Sequence, residues 1–390
     1  MPEPIRLSPH GSLTEERLLQ SAVKLFSTKW YGMVSVAEIC RDAGLSNGVF
    51  YRYFKNKEEL CKTILGATLA RIEDALRGVG QGSVSDKLTR FTHILIDFSA
   101  VHPDLIAVFR EGQYSFIEYE QGLEALYRRG LSDVFGSDIG EVETSFALGG
   151  IRFCAIRRGL QHLPIDPESV LAIVRGGFFP GLDADESKVF SPPEYFLPAS
   201  CGEKAKDRLL AAGKRLFGDK SFTGTNIHQI TDAAGLAVGT FYTYYPSKEA
   251  FYAELVRLIG HDVRLFISSN LTGDLNRLER EMRGLWLFLR YLQIDKYCYP
   301  IVRQAEFIMP DTALSYYDAF LQGYAKRPLA EDGLAPGIDE RTATEYLLGI
   351  GHYLGIQFMI ASDSGDADDV REEIRIVGKC MKKGFSDLLD

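Results

Sequence analysis

The feature that most constrains this chain is an internal repeat. Thr14-Glu15-Glu16-Arg17-Leu18-Leu19 matches Ala205-Lys206-Asp207-Arg208-Leu209-Leu210, and the shift of 191 positions holds without a gap for the next fifty or so residues. Leu25-Phe26 falls on Leu216-Phe217, Ile39 on Ile230, Ala43-Gly44-Leu45 on Ala234-Gly235-Leu236, Gly48 on Gly239, and Phe50-Tyr51 on Phe241-Tyr242. About sixteen of fifty-two positions are identical, where chance gives about three. The likeness continues more loosely, from Arg110-Glu111-Gly112-Gln113-Tyr114 to Arg303-Gln304-Ala305-Glu306-Phe307 and from Gly149-Gly150-Ile151-Arg152-Phe153 to Gly349-Ile350-Gly351-His352-Tyr353. A whole structural unit is therefore expected twice.

The pattern within each copy is helical. Ser12 stands where it can cap a helix carrying Leu18, Leu19, Ala22, Leu25 and Phe26 on one face. Ser35-Val36-Ala37-Glu38 has the form of a capping box, and Asn56-Lys57-Glu58-Glu59 is a second helix start. Asn226-Ile227-His228-Gln229 and Ser247-Lys248-Glu249 stand at the matching places of the second copy. No sustained alternation of period two occurs, so the expected class is all-α. Proline, glycine and acidic residues concentrate between Phe179 and Pro198, which marks a linker. The expected organisation is a head at 1–65, a helical domain at 66–179, a linker at 180–202, a second head at 203–256 and a second helical domain at 257–390.

Charge separates the heads from the rest. The chain carries a net charge of −9, yet residues 1–65 hold nine Lys/Arg against seven Asp/Glu, and residues 203–260 hold eight against six. The most positive stretches are thus the repeated ones, as a small surface that touches nucleic acid requires. The six cysteines are scattered singly, which predicts buried thiols and no metal site or disulfide framework. No secretion signal and no membrane-length apolar segment is read, so a cytoplasmic location with no membrane partner is expected. Neither a nucleophile–base pairing nor a metal spacing supports catalysis, so no enzyme activity and no cofactor are expected.

Ser35 to Phe54 has helix-turn-helix grammar. One short helix (36–42) ends at Gly44, whose backbone tolerates the left-handed turn. Leu45 is expected between the helices, and Ser46 begins a second helix through Asn47, Val49, Tyr51 and Arg52. The run from Ala43 through Gly44-Leu45-Ser46-Asn47-Gly48-Val49-Phe50-Tyr51-Arg52-Tyr53-Phe54 to Leu60 resembles the signature of the TetR family of bacterial regulators, and Ala234 to Phe251 resembles it again. The resemblance implies a DNA-binding head followed by a helical domain that dimerises and encloses an effector, in each of two tandem units that pair as an intramolecular pseudo-dimer. A further homodimer of chains stays open.

Carried onto this sequence, the resemblance implies base-edge contacts from Asn47 and Val49 and phosphate contacts from Ser35, Tyr51, Tyr53 and Lys57. Ser46 starts the reading helix, Gly48 suits close approach to the DNA backbone, and Arg52 reads a guanine or holds a phosphate. The matching set is Asn226, Val238, Gly239, Thr240, Tyr242, Thr243, Tyr244 and Lys248, less polar and less basic because Val238 replaces Asn47 and Thr243 replaces Arg52. A lysine at a helix start sits against the positive end of the dipole, which favours a phosphate beside Lys57 and Lys248.

Candidate effector contacts are polar or aromatic residues within apolar helices: Phe98, Arg110, Gln113, Tyr114 and Arg152, then Trp286, Arg303, Glu306, Phe307, Tyr317, Tyr324 and His352. The competing reading is internal pairing, for example Arg303 with Glu306. The aromatic content of the second copy points to a hydrophobic effector. Helices Phe146 to Leu160 and Tyr346 to Ile360, with Gly149, Gly150, Gly349, Gly351 and Gly355, are expected to pack together as the dimer interface. The leading function is a ligand-responsive repressor reading an imperfect palindrome on double-stranded DNA. The alternative is a sensor or scaffold that has lost DNA binding.

Overall fold

The computed structural model describes Leu7 and residues 11–196, 204–360 and 367–389. Among these residues every regular element is helical. The chain divides into two compact units, one running to Leu171 and the other from Ala172 to Ser386.

The first unit opens with α1 (Leu13–Phe26), α2 (Val36–Asp42), α3 (Asn47–Tyr53) and α4 (Lys57–Leu76). The regulatory part follows as α5 (Val84–Val101), α6 (Pro103–Ser115), α7 (Ile117–Phe135) and α8 (Glu141–Gln161), and the division between units falls inside α9 (Pro167–Gly176). Local chemistry sets these boundaries. Ser12, Ser35, Asn56 and Ser83 each accept a backbone N–H in the first turn of the helix they start. Pro103 begins α6, where a missing N–H costs nothing. Helices α5 and α8 cross closely at Gly159, where a Cβ would meet the Ser99 carbonyl oxygen at 2.5 Å.

The second unit repeats this order. After the short α10 (Glu186–Val189) come α11 (Ala205–Lys220), α12 (Ile227–Ala234), α13 (Val238–Tyr244) and α14 (Lys248–Asn270). Then follow α15 (Arg277–Ile294), α16 (Cys298–Ile308), α17 (Pro310–Ala325), α18 (Glu340–Ile360) and α19 (Ala367–Lys383). Helix α3 maps on α13 with the shift of 191, and α5 maps on α15 from 84 to 277, a shift of 193. The duplication therefore extends through the helical domain, with two residues inserted after α14.

Two sequence expectations change. The segment 180–202 is not a free tether where it is described. Arg283 donates from Nη1 to the carbonyls of Lys188, Val189 and Ser191, and Asn270 accepts the N–H groups of Glu194 and Tyr195. Proline denies a segment its own ladder but not side chains from elsewhere that bind its carbonyls. Residues 172–179, expected to close the first unit, also fall in the second: the Phe178 and Phe179 N–H groups both reach the Met381 carbonyl. Two glycines of α18 pack within the second unit, where Gly351 faces Leu285 and Gly355 faces Tyr299 and Phe288. Cys40, Cys61, Cys154, Cys298 and Cys380 are buried free thiols, and Cys201 lies outside the described residues. No single described helix is long and apolar enough to cross a membrane.

Candidate nucleic-acid interface and effector cavity

Each head is held by the same internal devices. Gly44 and Gly235 take φ of +64° and +63°, and each lets the chain turn into the reading helix. Arg17 donates to the Ala43 carbonyl and Arg208 to the Ala234 carbonyl, which ties the first helix of the head to that turn. The capping boxes are present at Ser35 with Glu38 and at Asn226 with Gln229. In the first, the Ser35 hydroxyl and N–H both face the Glu38 carboxylate, at 3.1 and 2.9 Å. That carboxylate already supplies the negative charge expected from a phosphate at this helix end.

The lysines at 57 and 248 have a role that sequence reasoning assigned elsewhere. Lys57 Nζ donates to the carbonyls of Tyr31 and Val34, both at 2.7 Å, and lies 4.2 Å from the centre of the Tyr31 ring. Lys248 Nζ donates to Phe222 and Thr225 at 2.9 and 3.0 Å and lies 4.0 Å over the Phe222 ring. Both ammonium groups are half-buried, and burial lowers both pKa values. Two of the three N–H donors of each ammonium are thus taken by carbonyls of the head itself, which offsets the misfit of a cation at a helix start.

The reading surface is what these devices leave exposed. Tyr51 and Tyr242 keep 60% and 54% of their surface, against 0% for their neighbours Phe50 and Phe241. Tyr53, Tyr244, Ser46, Asn47, Arg52 and Thr243 are exposed too, while Val49, Val238 and Thr240 are half-buried. Gly48 and Gly239 are exposed, and a Cβ there would meet nothing closer than 3.9 Å. Neither a positive φ nor internal packing requires glycine at these positions, although glycine weakens a helix interior by about 1 kcal/mol.

A cavity of about 630 Å³ opens in the second unit between α14, α15, α17 and α18. Tyr317, Tyr324 and His352, three of the expected effector contacts, line it together. Behind this wall the Tyr317 hydroxyl donates to Glu306 Oε1 at 2.7 Å, and Glu306 is paired with Arg303, so the internal pairing considered for Arg303 holds. Tyr299, on the same wall, donates to the His352 carbonyl at 2.6 Å. Tyr324 donates to Glu281 at 2.8 Å. Burial, then the nearby carboxylates, raise the pKa values of Tyr317 and Tyr324 far up, so both remain neutral donors. Arg303, Glu306, Phe307 and Trp286 do not line the cavity; Phe307 lies under the Arg303 guanidinium, and Trp286 packs edge-on against Phe190.

In the first unit two of the expected contacts are engaged internally. Arg152 is locked to Glu120 by two bonds of 2.8 and 3.0 Å, and Phe98 packs on His102. Arg110 is half-buried on α6, and the side chains of Gln113 and Tyr114 lie outside those described. Sequence reasoning missed Arg264, Arg277, Arg280, Glu281 and Phe320 on the cavity wall. Arg277, Arg280, Glu281 and Gly284 recur at helical spacing on one face of α15, a pattern that ordinarily marks a solvated face.

In each unit a buried polar side chain of the regulatory part is among the contacts that hold the head. Glu111, on α6, accepts the Tyr31 N–H, and Gln304, on α16, accepts the Phe222 N–H at 2.9 Å. Burial raises the Glu111 pKa to about 7, offset in part by the Tyr31 N–H and the Lys57 charge.

Comparison with known proteins agrees with this geometry. The family described as "Bacterial regulatory proteins, tetR family" matches residues 18–64 and again 209–255. The chain is a tandem of two TetR-type units. Among curated relatives, the HTH-type regulator YerO of Bacillus subtilis is 22% identical over 184 residues, 41% of this chain and 61% of YerO. YdgC of the same organism is 26% identical over 188 residues, 46% of this chain and 93% of YdgC. The match to YuxN, 41% identical, spans only 18% of that protein, so the first relatives are covered over less than two thirds of their length. Among solved structures, FadR of Bacillus subtilis in complex with stearoyl-CoA aligns with 45% of this TetR-type chain and 97% of its own, at 15% identity and a TM-score of 0.40.

Proposed function

We propose that the chain is a ligand-responsive transcriptional repressor whose two unlike heads read the two halves of an imperfect palindrome. The observation that carries this reading is the repeated exposed surface: two reading helices, each with unburied tyrosines and a glycine that the fold itself does not require. Tyr51, Tyr53, Tyr242 and Tyr244 hold phosphates, Asn47 and Arg52 read base edges, and Gly48 and Gly239 admit the backbone of the duplex. The two units pair as one pseudo-dimer, so a single chain supplies both heads.

The effector enters the cavity of the second unit. Helix α14 joins that cavity to the head directly, since Arg264 and Ile267 line the cavity while Lys248 anchors the head about 24 Å away along the same helix. Helix α16 is a second link, because Gln304 holds the head one residue from Arg303, whose partner Glu306 binds Tyr317 on the cavity wall. An occupant that displaces Tyr317 or α14 thereby shifts the head against a half-site spacing that the DNA turn sets.

The test is a footprint of the purified chain on DNA upstream of its own gene, with genome-wide selection of sites alongside, and with Tyr51→Ala and Tyr242→Ala compared. Protection of two half-sites, lost in both variants, is expected. Loss with Tyr51→Ala alone would leave the second head a structural role, and no selected site at all would sink the repressor reading.

A further inference from the structure

The cavity of the second unit holds more positive charge than its own walls neutralise. Arg264, Arg277, Arg280, Lys326 and Arg327 line it against one carboxylate, Glu281. Two of the five are matched: Arg277 with Glu281 and Arg327 with Asp332, both at 2.7 Å. Arg264 and Arg280 are different. Arg264 Nη1 and Arg280 Nε are buried without a hydrogen-bond partner, and among the described residues neither side chain forms an ion pair.

Their surroundings sharpen the contrast. The Arg264 guanidinium lies 5.4 Å over the Phe320 ring. Arg280 stands near the like charges of Arg327 and Arg277, with Glu281 and Asp332 as the opposing charges. Burial lowers the pKa of both groups, yet a guanidinium stays cationic in a protein. A buried donor without an acceptor opposes folding. The remaining wall combines the aliphatic and aromatic side chains Ile267, Leu271, Leu285, Phe288 and Leu347 with the tyrosines and His352 described above. The volume lies within the range of small-molecule sites.

We propose that this cavity takes an amphipathic organic anion, its acid group bound by Arg264 and Arg280 and its apolar body laid against the aliphatic and aromatic wall. This narrows the expected hydrophobic effector to an acid, and it rests on the reading of the cavity as the effector site. A carboxylate and a phosphate satisfy the two guanidinium groups by the same chemistry.

The experiment is calorimetric titration of the full chain with four twelve-carbon probes, each below its micelle concentration: dodecanoate, dodecyl phosphate, dodecanol and dodecyltrimethylammonium. At least one acid is expected to bind at least about tenfold more tightly than the alcohol, as a charge-assisted hydrogen bond implies. The stronger of the two acids identifies the head group. In the Arg264→Gln plus Arg280→Gln double variant that preference is expected to fall to about threefold or less, while Arg280→Lys retains most of it. Arg280→Met should raise the melting temperature, since it removes an unsatisfied charge beside two like ones, and this separates lost binding from lost folding. Equal binding of the alcohol, tightest binding of the ammonium, no binding of either acid, or an undiminished preference in the double variant would each overturn the proposal. DNA retention is measured in parallel. An acid bound through these arginines that leaves DNA retention unchanged supports the anion site and removes the effector role, whereas DNA release by dodecanol alone does the reverse.

Discussion

Replacing Lys57 by methionine keeps the aliphatic stem and deletes the ammonium that bridges two carbonyls. Those bonds are 2.7 Å long, and a hydrogen bond to a charged group contributes about 1.5–3 kcal/mol. The ring contact with Tyr31 adds about 0.5–1 kcal/mol. The lower ends of these figures sum to about 3.5 kcal/mol, and water that reaches this half-buried site compensates part of that, which leaves about 2–3 kcal/mol for Lys57→Met. Lys248→Met, with bonds of 2.9 and 3.0 Å, should cost slightly less. Because a two-unit chain need not unfold in one step, the assay is hydrogen exchange of the α2 and α3 amides. Their exchange should accelerate roughly 30- to 150-fold in Lys57→Met, with the second head unchanged. The rival role predicts the opposite signature. If exchange is unaltered while the salt slope of DNA binding falls by about 0.9, Lys57 neutralises a phosphate and the internal role is refuted.

Three more predictions concern packing and linkage. Glu111 has a folded pKa of about 7 against an ordinary value of 4.5, so its contribution to stability is full below the ordinary value and lost as pH rises through 7. Glu111→Gln should therefore match the parent near pH 4 and become the more stable of the two by pH 8; denaturant titrations at both values check this, and a gap that opens on the acid side would contradict it. Gly159→Ala should destabilise the first unit by about 1–3 kcal/mol, because the new methyl meets the backbone of α5 rather than a side chain that can turn away. Hydrogen exchange of α5 and α8 equal to the parent's would refute that close approach. Gln304→Ala leaves the Phe222 N–H without its acceptor and should cost about 1–3 kcal/mol, seen as faster exchange of the second head only.

The heads were legible because their determinants are local. Ser35, Gly44, Asn56 and Asn226 act within a few residues of where they stand, so capping and turn chemistry could be read from the chain, and the repeat supplied a second copy of the pattern. The internal role of Lys57 was not legible for the converse reason. Its partners lie 23 and 26 residues away, and only the fold brings their carbonyls to the helix start. The cavity was half legible: Tyr317, Tyr324 and His352 stood out as polar groups in apolar helices, whereas Arg277, Arg280 and Glu281 drew no notice because charges at that spacing ordinarily mark a solvated face. The anchoring of the linker was not legible because proline and acid describe what a segment does by itself, and Arg283 and Asn270 bind it from two other helices.

The divergence of the two reading helices carries a consequence of its own. The framework is kept in both copies, down to the lysine over a ring and the arginine on the turn carbonyl, while the reading face changes from Asn47 and Arg52 to Val238 and Thr243. Thr243 turns its hydroxyl back to the Gly239 carbonyl at 3.2 Å, and Val238 has only methyl groups to offer, so this face is apolar where the first head carries an amide and a guanidinium. In the major groove an apolar contact recognises the thymine methyl, whereas Asn and Arg recognise the polar edges of adenine and guanine. On the proposed operator the second half-site should accordingly depend on thymine methyls. Uracil in place of thymine removes that methyl and leaves every hydrogen-bonding group intact. Uracil throughout the half-site under the second head should weaken binding by about 1–3 kcal/mol, and the same change under the first head should cost less. Equal losses in the two halves would mean that Val238 and Thr243 do not read bases, and the second head would then hold its half-site through phosphates alone.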